Sequence, residues 1–163
     1  MAFESFRDWV ESLEKAGELI RISHPVATEL EITEIADREM KSPGGGKALL
    51  FEHPILRDGT RSQYPVAINL FGSMRRMSMA LGVDDLDAIG DRITALMDLK
   101  VPDGFLGKLS LLPRLLEVSK FPPRTKSGTP SCQDIVWQGD EIDLDKIPVL
   151  HCWPEDGGPF VTM

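Results

Sequence analysis

The four residues Ala48-Leu49-Leu50-Phe51 narrow the folds open to this chain more than any other stretch. An unbroken apolar run of strand length has no polar side to turn toward water. A second short apolar run, residues 65–70, follows after a polar turn around Arg57-Asp58-Gly59-Thr60. Both runs are expected near the centre of a sheet, and a sheet so buried needs helices packed against it.

The flanking sequence supplies such helices. Phe3, Phe6, Trp9, Val10 and Leu13 recur at three- and four-residue steps while Arg7, Asp8, Glu11, Glu14 and Lys15 fall on the other side, which predicts an amphipathic helix. Gly17 is placed to stop it, and residues 18–23 alternate as a half-buried strand closed by His24-Pro25. Thr28 is the expected cap of a second helix through Leu30, Ile32, Ile35, Ala36 and Met40, which Ser42-Pro43-Gly44-Gly45-Gly46 ends. Ser73 can cap a helix from Met74 to Leu81, Gly82 breaks it, and Asp84 or Asp85 can cap the next, through Ile89, Ile93, Leu96 and Met97. A further helical piece is read over about residues 105–118, with Pro102 and Pro113 disturbing its limits.

The texture then changes. Residues 120–131 hold three prolines, a glycine, two lysines and an arginine with no periodic apolar face, which reads as a linker. Beyond it come strand signals broken by turns, over residues 132–137, 142–150 and 159–163, so a second and more β-rich domain is expected to begin near residue 130. The domain plan is therefore residues 1–119, a linker over 120–131, and an incomplete second domain over 132–163. The last apolar run meets no stop signal, and an unpaired strand edge is unfavourable, so a fragment of a longer protein is expected.

Charge and cysteine content exclude several classes of function. With 26 acidic against 18 basic residues the formal charge is -8, which argues against binding nucleic acid or an anionic membrane through bulk charge. Cys132 and Cys152 match no zinc spacing and cannot build a disulfide framework, so a reduced, cytoplasmic setting is expected. No apolar run approaches the roughly 20 residues needed to span a bilayer, and the N-terminus lacks the pattern of a signal peptide.

Candidate chemistry is sparse. Gly44-Gly45-Gly46-Lys47 invites comparison with a phosphate-binding loop, but Ala48 stands where Ser or Thr is needed and the helix precedes the strand, so a flexible turn is the better reading. Arg75 and Arg76 lie at a predicted helix start and form a candidate anion site, against the plainer reading of a capped helix with solvated arginines. Met74, Met77 and Met79 read as gap-filling core. His24 and His53 each precede proline and read as punctuation. His151-Cys152 could supply a base and nucleophile, but adjacent strand residues point to opposite faces, so Cys152 reads as a small packed residue. Glu141, Asp143 and Asp145 alternate with Ile142 and Leu144, a pattern that can align carboxylates on one strand face for metal binding or acid–base work, though solvent-facing strand polarity explains it with less.

Several phrases in order resemble the UbiD-type decarboxylases: Gly17-Glu18-Leu19-Ile20-Arg21-Ile22, Leu30-Glu31-Ile32-Thr33-Glu34-Ile35-Ala36-Asp37-Arg38, Gly46-Lys47-Ala48-Leu49-Leu50-Phe51-Glu52, Asn69-Leu70-Phe71-Gly72-Ser73 with Arg76, and Ile147-Pro148 leading to residues 152–162. The resemblance implies an α+β fold, an α/β-type N-terminal domain with a small mixed sheet and flanking helices, followed by the first strands of a split β-barrel that holds flavin. It also implies a longer carboxy-lyase acting on aromatic or unsaturated carboxylic acids, with prenylated FMN, manganese and potassium as cofactors and a C-terminal domain that mediates homo-oligomeric assembly. Such a cofactor stabilises the developing carbanion while the protein positions and protonates it. The family's catalytic arginine and acidic residues and its metal ligands would fall beyond Met163, so the fragment alone is expected to be inactive, with no catalytic or metal residue of its own and no cofactor bound. Only Thr162 falls at a family position that approaches the flavin. Ubiquinone and menaquinone biosynthesis are both open by resemblance, the Gly44-Gly45-Gly46-Lys47 and Asp156-Gly157-Gly158 phrases favouring the latter. A non-catalytic scaffold or interaction module with the same fold is the alternative.

Overall fold

Side-chain alternation along a single strand organises the sheet. The computed structural model describes residues 3–98, 113, 116 and 127–161. The chain divides into two compact units, Met1–Ile89 with Ile142–Met163, and Gly90–Glu141. In the first, the apolar run forms β3 (Ala48–Phe51), with all of its residues buried. Successive side chains point to opposite faces. Ala48 and Leu50 therefore join Trp9, Val10, Leu13, Leu19 and Leu70 in one core, while Leu49 and Phe51 join Val26, Ile32 and Ala36 in another. Each fully buried Leu or Phe contributes about 1.5–3 kcal/mol. A one-residue slip would exchange the two sets, so the register is fixed from both faces.

The sheet order is β1-β3-β5. β1 (Leu19–Ile22) runs parallel to β3 and β5 (Val66–Ile68) antiparallel to it. The expectation that both apolar runs lie centrally holds for β3; β5 pairs with β3 alone in this sheet and is only half-buried.

α1 (Phe6–Lys15) begins at Ser5, whose hydroxyl accepts the Asp8 N–H at 3.2 Å, and buries Trp9, Val10 and Leu13. Gly17, at φ 70°, turns the chain from α1 into β1. α2 (Glu31–Met40) connects the parallel strands and lays Ile32 and Ala36 on the second core. A small parallel pair, β2 (Val26–Ala27) with β4 (Pro54–Ile55), stands beside the sheet. The His53-Pro54 step read as punctuation thus opens a strand, at the first position, where proline's missing N–H is tolerated.

α3 (Met74–Leu81) is capped by Ser73, which accepts the Arg76 N–H at 3.1 Å, and ends at left-handed Gly82. α4 (Asp87–Met97) follows, with Asp85 Oδ1 accepting the Asp87 N–H at 3.1 Å. Of the methionines read as core, Met79 packs on the first core, whereas Met74 is 75% exposed.

In the second unit Pro113 and Leu116 are helical, and the rest of the helix expected over residues 105–118 lies outside the described residues. The strand expected from residue 132 is instead a 3-10 turn, Ser131–Gln133. The Gln133 and Asp134 N–H groups bond back to the Pro130 and Ser131 carbonyls, so local bonds replace a ladder there. In the first unit, residues 142–161 carry a 3-10 turn, Leu144–Lys146, and one parallel bridge, His151 to Glu29. Leu150 packs against the second core.

Candidate functional site

The glycine-rich turn between α2 and β3 is held tightly. Gly44, Gly45 and Gly46 all have positive φ. A Cβ on Gly45 would lie 1.9 Å from the Gly72 carbonyl oxygen, and one on Gly46 would lie 2.0 Å from that of Glu39. Only glycine allows backbone to approach backbone so closely. Arg76, fully buried, fastens the turn: Nη1 donates to the Gly46 carbonyl at 2.5 Å and to Glu18 Oε2 at 3.2 Å, and Nη2 donates to the Gly45 carbonyl at 3.2 Å. Asn69, itself at φ 58°, donates from Nδ2 to the Gly45 and Lys47 carbonyls, both at 2.9 Å. A buried guanidinium is tolerated when it is paired and hydrogen-bonded in this way.

The two arginines singled out as a candidate anion site therefore meet at one carboxylate. Arg75 Nη1 lies 3.0 Å from Glu18 Oε1, while Arg76 takes the other oxygen. Arg75 Nη2 also donates to the Ala16 carbonyl at 3.4 Å. Beside them is a cleft of about 560 Å³ bordered by Glu18, Glu39, Lys47, Ser73 and Arg75. Its two glutamates oppose the field an anion would need.

A second polar centre joins the start of α2 to the segment around residue 151. His151 Nδ1 lies 3.2 Å from Glu29 Oε1, and Arg57 Nε donates to Glu29 Oε2 at 3.0 Å. These neighbours hold the Glu29 carboxyl below its ordinary range, Arg57 contributing most and His151 next. Nearby, a cleft of about 550 Å³ is lined by Thr28, Arg57, Asp58, Asp143, Val149 and Val161 among others.

A third network lies on the sheet surface. Arg21 grips Glu14 through two bonds, at 2.9 and 2.6 Å, and Glu52 through one at 3.0 Å, while Ser23 also donates to Glu52. Hydrogen bonding from Arg21 lowers the Glu14 pKa; bonding from Ser23 and then Arg21 lowers that of Glu52.

The acidic residues read as one strand face are otherwise employed. Asp143 accepts the Asp145 N–H at 3.1 Å as the cap of a 3-10 turn and pairs with Lys146 Nζ at 3.2 Å. Glu141 accepts the Gln138 N–H at 3.3 Å. A 3-10 turn lacks the two-residue period that would align these side chains. Cys152 is a free, partly exposed thiol next to a His151 ring directed at Glu29. Among the described residues no group of three or more His, Cys, Asp or Glu is gathered to hold a metal, and no helix is long and apolar enough to cross a membrane. Thr162 lies outside the described residues. Sequence reasoning missed the roles of Glu18, Glu29, Arg57 and Asn69, since their partners come from remote stretches.

Comparison with known families and solved structures identifies this arrangement. Residues 10–93 match the 3-octaprenyl-4-hydroxybenzoate carboxy-lyase N-terminal domain, and residues 124–163 match the Rift-related domain of the same carboxy-lyase. The fold is similar to that of vanillic acid decarboxylase from Sedimentibacter hydroxybenzoicus in its closed form, with a TM-score of 0.66 and 23% identity over 96% of this chain and 29% of that one. An evolved dimeric form of the UbiD-class enzyme HmfF from Pelotomaculum thermopropionicum, solved with prFMN, matches at 25% identity over 61% of this chain and 21% of that one, with a TM-score of 0.46. The chain thus spans less than a third of either structural relative's length. Two domain models matched in order along one sequence, with the mixed sheet and flanking helices in place, make this chain a member of the UbiD family, carrying its N-terminal domain and a stretch of its Rift-related domain.

Proposed function

We propose that the protein to which these residues belong is a prenylated-FMN-dependent carboxy-lyase that removes carbon dioxide from an aromatic or unsaturated carboxylic acid. The observation that carries this reading is the consecutive match of the family's N-terminal and Rift-related domains along residues 10–93 and 124–163. On this reading residues 1–119 form the N-terminal domain, residues 120–131 the linker, and residues 132–163 the opening of a flavin-binding barrel, with Thr162 approaching the flavin. The protein works in the cytoplasm as a homo-oligomer in ubiquinone or menaquinone biosynthesis.

When bound, the prenylated flavin would supply the electron sink for decarboxylation. Among the described residues no acidic or imidazole cluster is gathered that could hold the manganese that accompanies it. No chemical step is therefore assigned to them. Their work is scaffolding: β3 and its two cores carry the Gly44–Gly46 turn on one side and the docked segment around His151 on the other.

The test uses the full-length gene product, produced with a supply of prenylated FMN and offered polyprenyl-hydroxybenzoate and other aromatic acids. Carbon dioxide release from one of them, dependent on the prenylated flavin, is expected; loaded protein that turns over none would refute the carboxy-lyase reading. The 163-residue chain by itself is expected to bind no prenylated FMN and to release none. Stoichiometric flavin absorbance in that chain would contradict the reading that residues 132–163 supply only the opening of the flavin-binding barrel.

A further inference from the structure

Helix α2 begins in an unusual way. Thr28, the residue a helix start would favour, is buried, and its hydroxyl donates to the Ile55 carbonyl at 3.1 Å instead of capping. The position before the helix is Leu30, with φ 65° and ψ -39° and no side-chain cap. The Glu31 N–H reaches the Glu29 carbonyl at 2.7 Å, so Glu29-Leu30-Glu31 is a γ-turn of the positive-φ kind, the rare and strained counterpart of the inverse form. A leucine has no local reason to adopt it, and such strain persists only where the surroundings over-determine it.

The surroundings here are residues 150–152. The Leu30 N–H donates to the His151 carbonyl at 2.9 Å, and the His151 N–H donates to the Thr28 carbonyl at 3.2 Å. The His151 ring is braced on Glu29, which Arg57 holds in turn. Leu150, half-buried, packs against the second core. On the helix side, Glu31 Oε2 accepts the Ala27 N–H at 2.8 Å.

We propose that residues 150–152 are a strap that holds Leu30 in the strained turn, so that seating the strap and setting the start of α2 are one two-state element. With the strap seated, Leu30 is strained; with the strap lifted, Leu30 relaxes and the kink at residues 28–30 opens. Lifting withdraws Leu150 from the second core but breaks no strand ladder of the β1-β3-β5 sheet, because the strap meets residues 28–30 through a single bridge. On its C-terminal side the next residue, Trp153, is 52% exposed. The buried His151 Nε2 finds no hydrogen-bond partner among the described residues, which weakens the seated state further. The strap needs no cofactor, so it stands or falls apart from the carboxy-lyase reading.

Hydrogen exchange resolved to single amides on the 163-residue chain tests it, with the wild type, Glu29→Gln, Leu30→Gly and Leu30→Ala. Protection at Leu30 and His151 should be equal within a factor of two and lower than at Leu49 to Phe51. Glu29→Gln should lower both in parallel and leave the β3 amides unchanged. Leu30→Gly and Leu30→Ala both remove the side chain beyond Cβ, but only glycine relieves the turn, so His151 protection should be about fivefold higher in the glycine variant. Equal protection in those two variants, or a response of Leu30 without His151 to Glu29→Gln, would overturn the proposal.

Discussion

Replacing Arg76 with methionine should destabilise the first unit by about 3 kcal/mol, a figure built from its bonds. Methionine keeps most of the aliphatic volume, so little of the loss is cavity. What disappears is the guanidinium, which bonds Glu18, Gly45 and Gly46. Gly45 keeps the Asn69 amide and Glu18 keeps Arg75, whereas the Gly46 carbonyl loses its donor. Gly46 is only partly buried, so orphaning its carbonyl falls at the low end of the range of about 1–3 kcal/mol, and a hydrogen bond to a charged group contributes about 1.5–3 kcal/mol. Against these stands the relief of a desolvated charge whose buried Nε has no partner among the described residues, which keeps the sum at the lower end of the roughly 3–5 kcal/mol typical of a fully broken buried pair. Urea unfolding should show a lower midpoint at unchanged slope. Glu18→Gln combined with Arg76→Met should cost at least about 1 kcal/mol less than the two changes summed, because they share a partner. A single-variant loss below about 0.5 kcal/mol, or strict additivity, would show that Arg76 does not hold the turn.

Two other outcomes follow from the same geometry. Gly45→Ala, whose Cβ would meet the Gly72 carbonyl, should destabilise by several times the effect of Gly44→Ala, which meets nothing within 4 Å and carries only the positive-φ penalty of about 1 kcal/mol; paired thermal melts would reveal the gap. Glu14, Glu29, Glu52 and Asp58 all have lowered pKa values in the folded chain, so the unfolded chain takes up protons first as pH falls. Their contribution is complete above the ordinary carboxylate range, near pH 4, and is lost as pH drops through the depressed values. Melting temperature should decline below about pH 4 in low salt, and a flat profile down to pH 2.5 would contradict this.

Local signals in the sequence accounted for most of the first unit, because there the local and global preferences agree. Trp9, Val10 and Leu13 repeat at helical spacing and are buried on α1; Ser73 and Gly82 bound α3 as their types require; and Ala48 to Phe51 form a strand covered on both faces. What escaped were contacts between distant stretches. Nothing near Leu30 announces a positive φ, since His151 imposes it from far along the chain. Nor does Arg76 look different from Arg75, although one is buried and the other solvated. The polar centres were hidden for the same reason: Glu18, Glu29 and Asn69 are ordinary residues until folding supplies their partners. Alternating acids at residues 141–145 misled in the other direction, since Asp143 satisfies its own turn.

The clasp on the triglycine turn also sets an order of assembly. Glu18, Gly45, Asn69 and Arg76 come from four separate stretches, and joining them closes large loops whose entropy must be met before the contacts return anything. α1 has its own cap and a local Glu11–Lys15 pair and can form early. The Gly44–Gly46 turn cannot settle until α3 arrives. As a ribosome releases such a chain from its N-terminus, Glu18 waits beside an unfinished turn, and the helix bearing Arg76 is the piece that locks what came before.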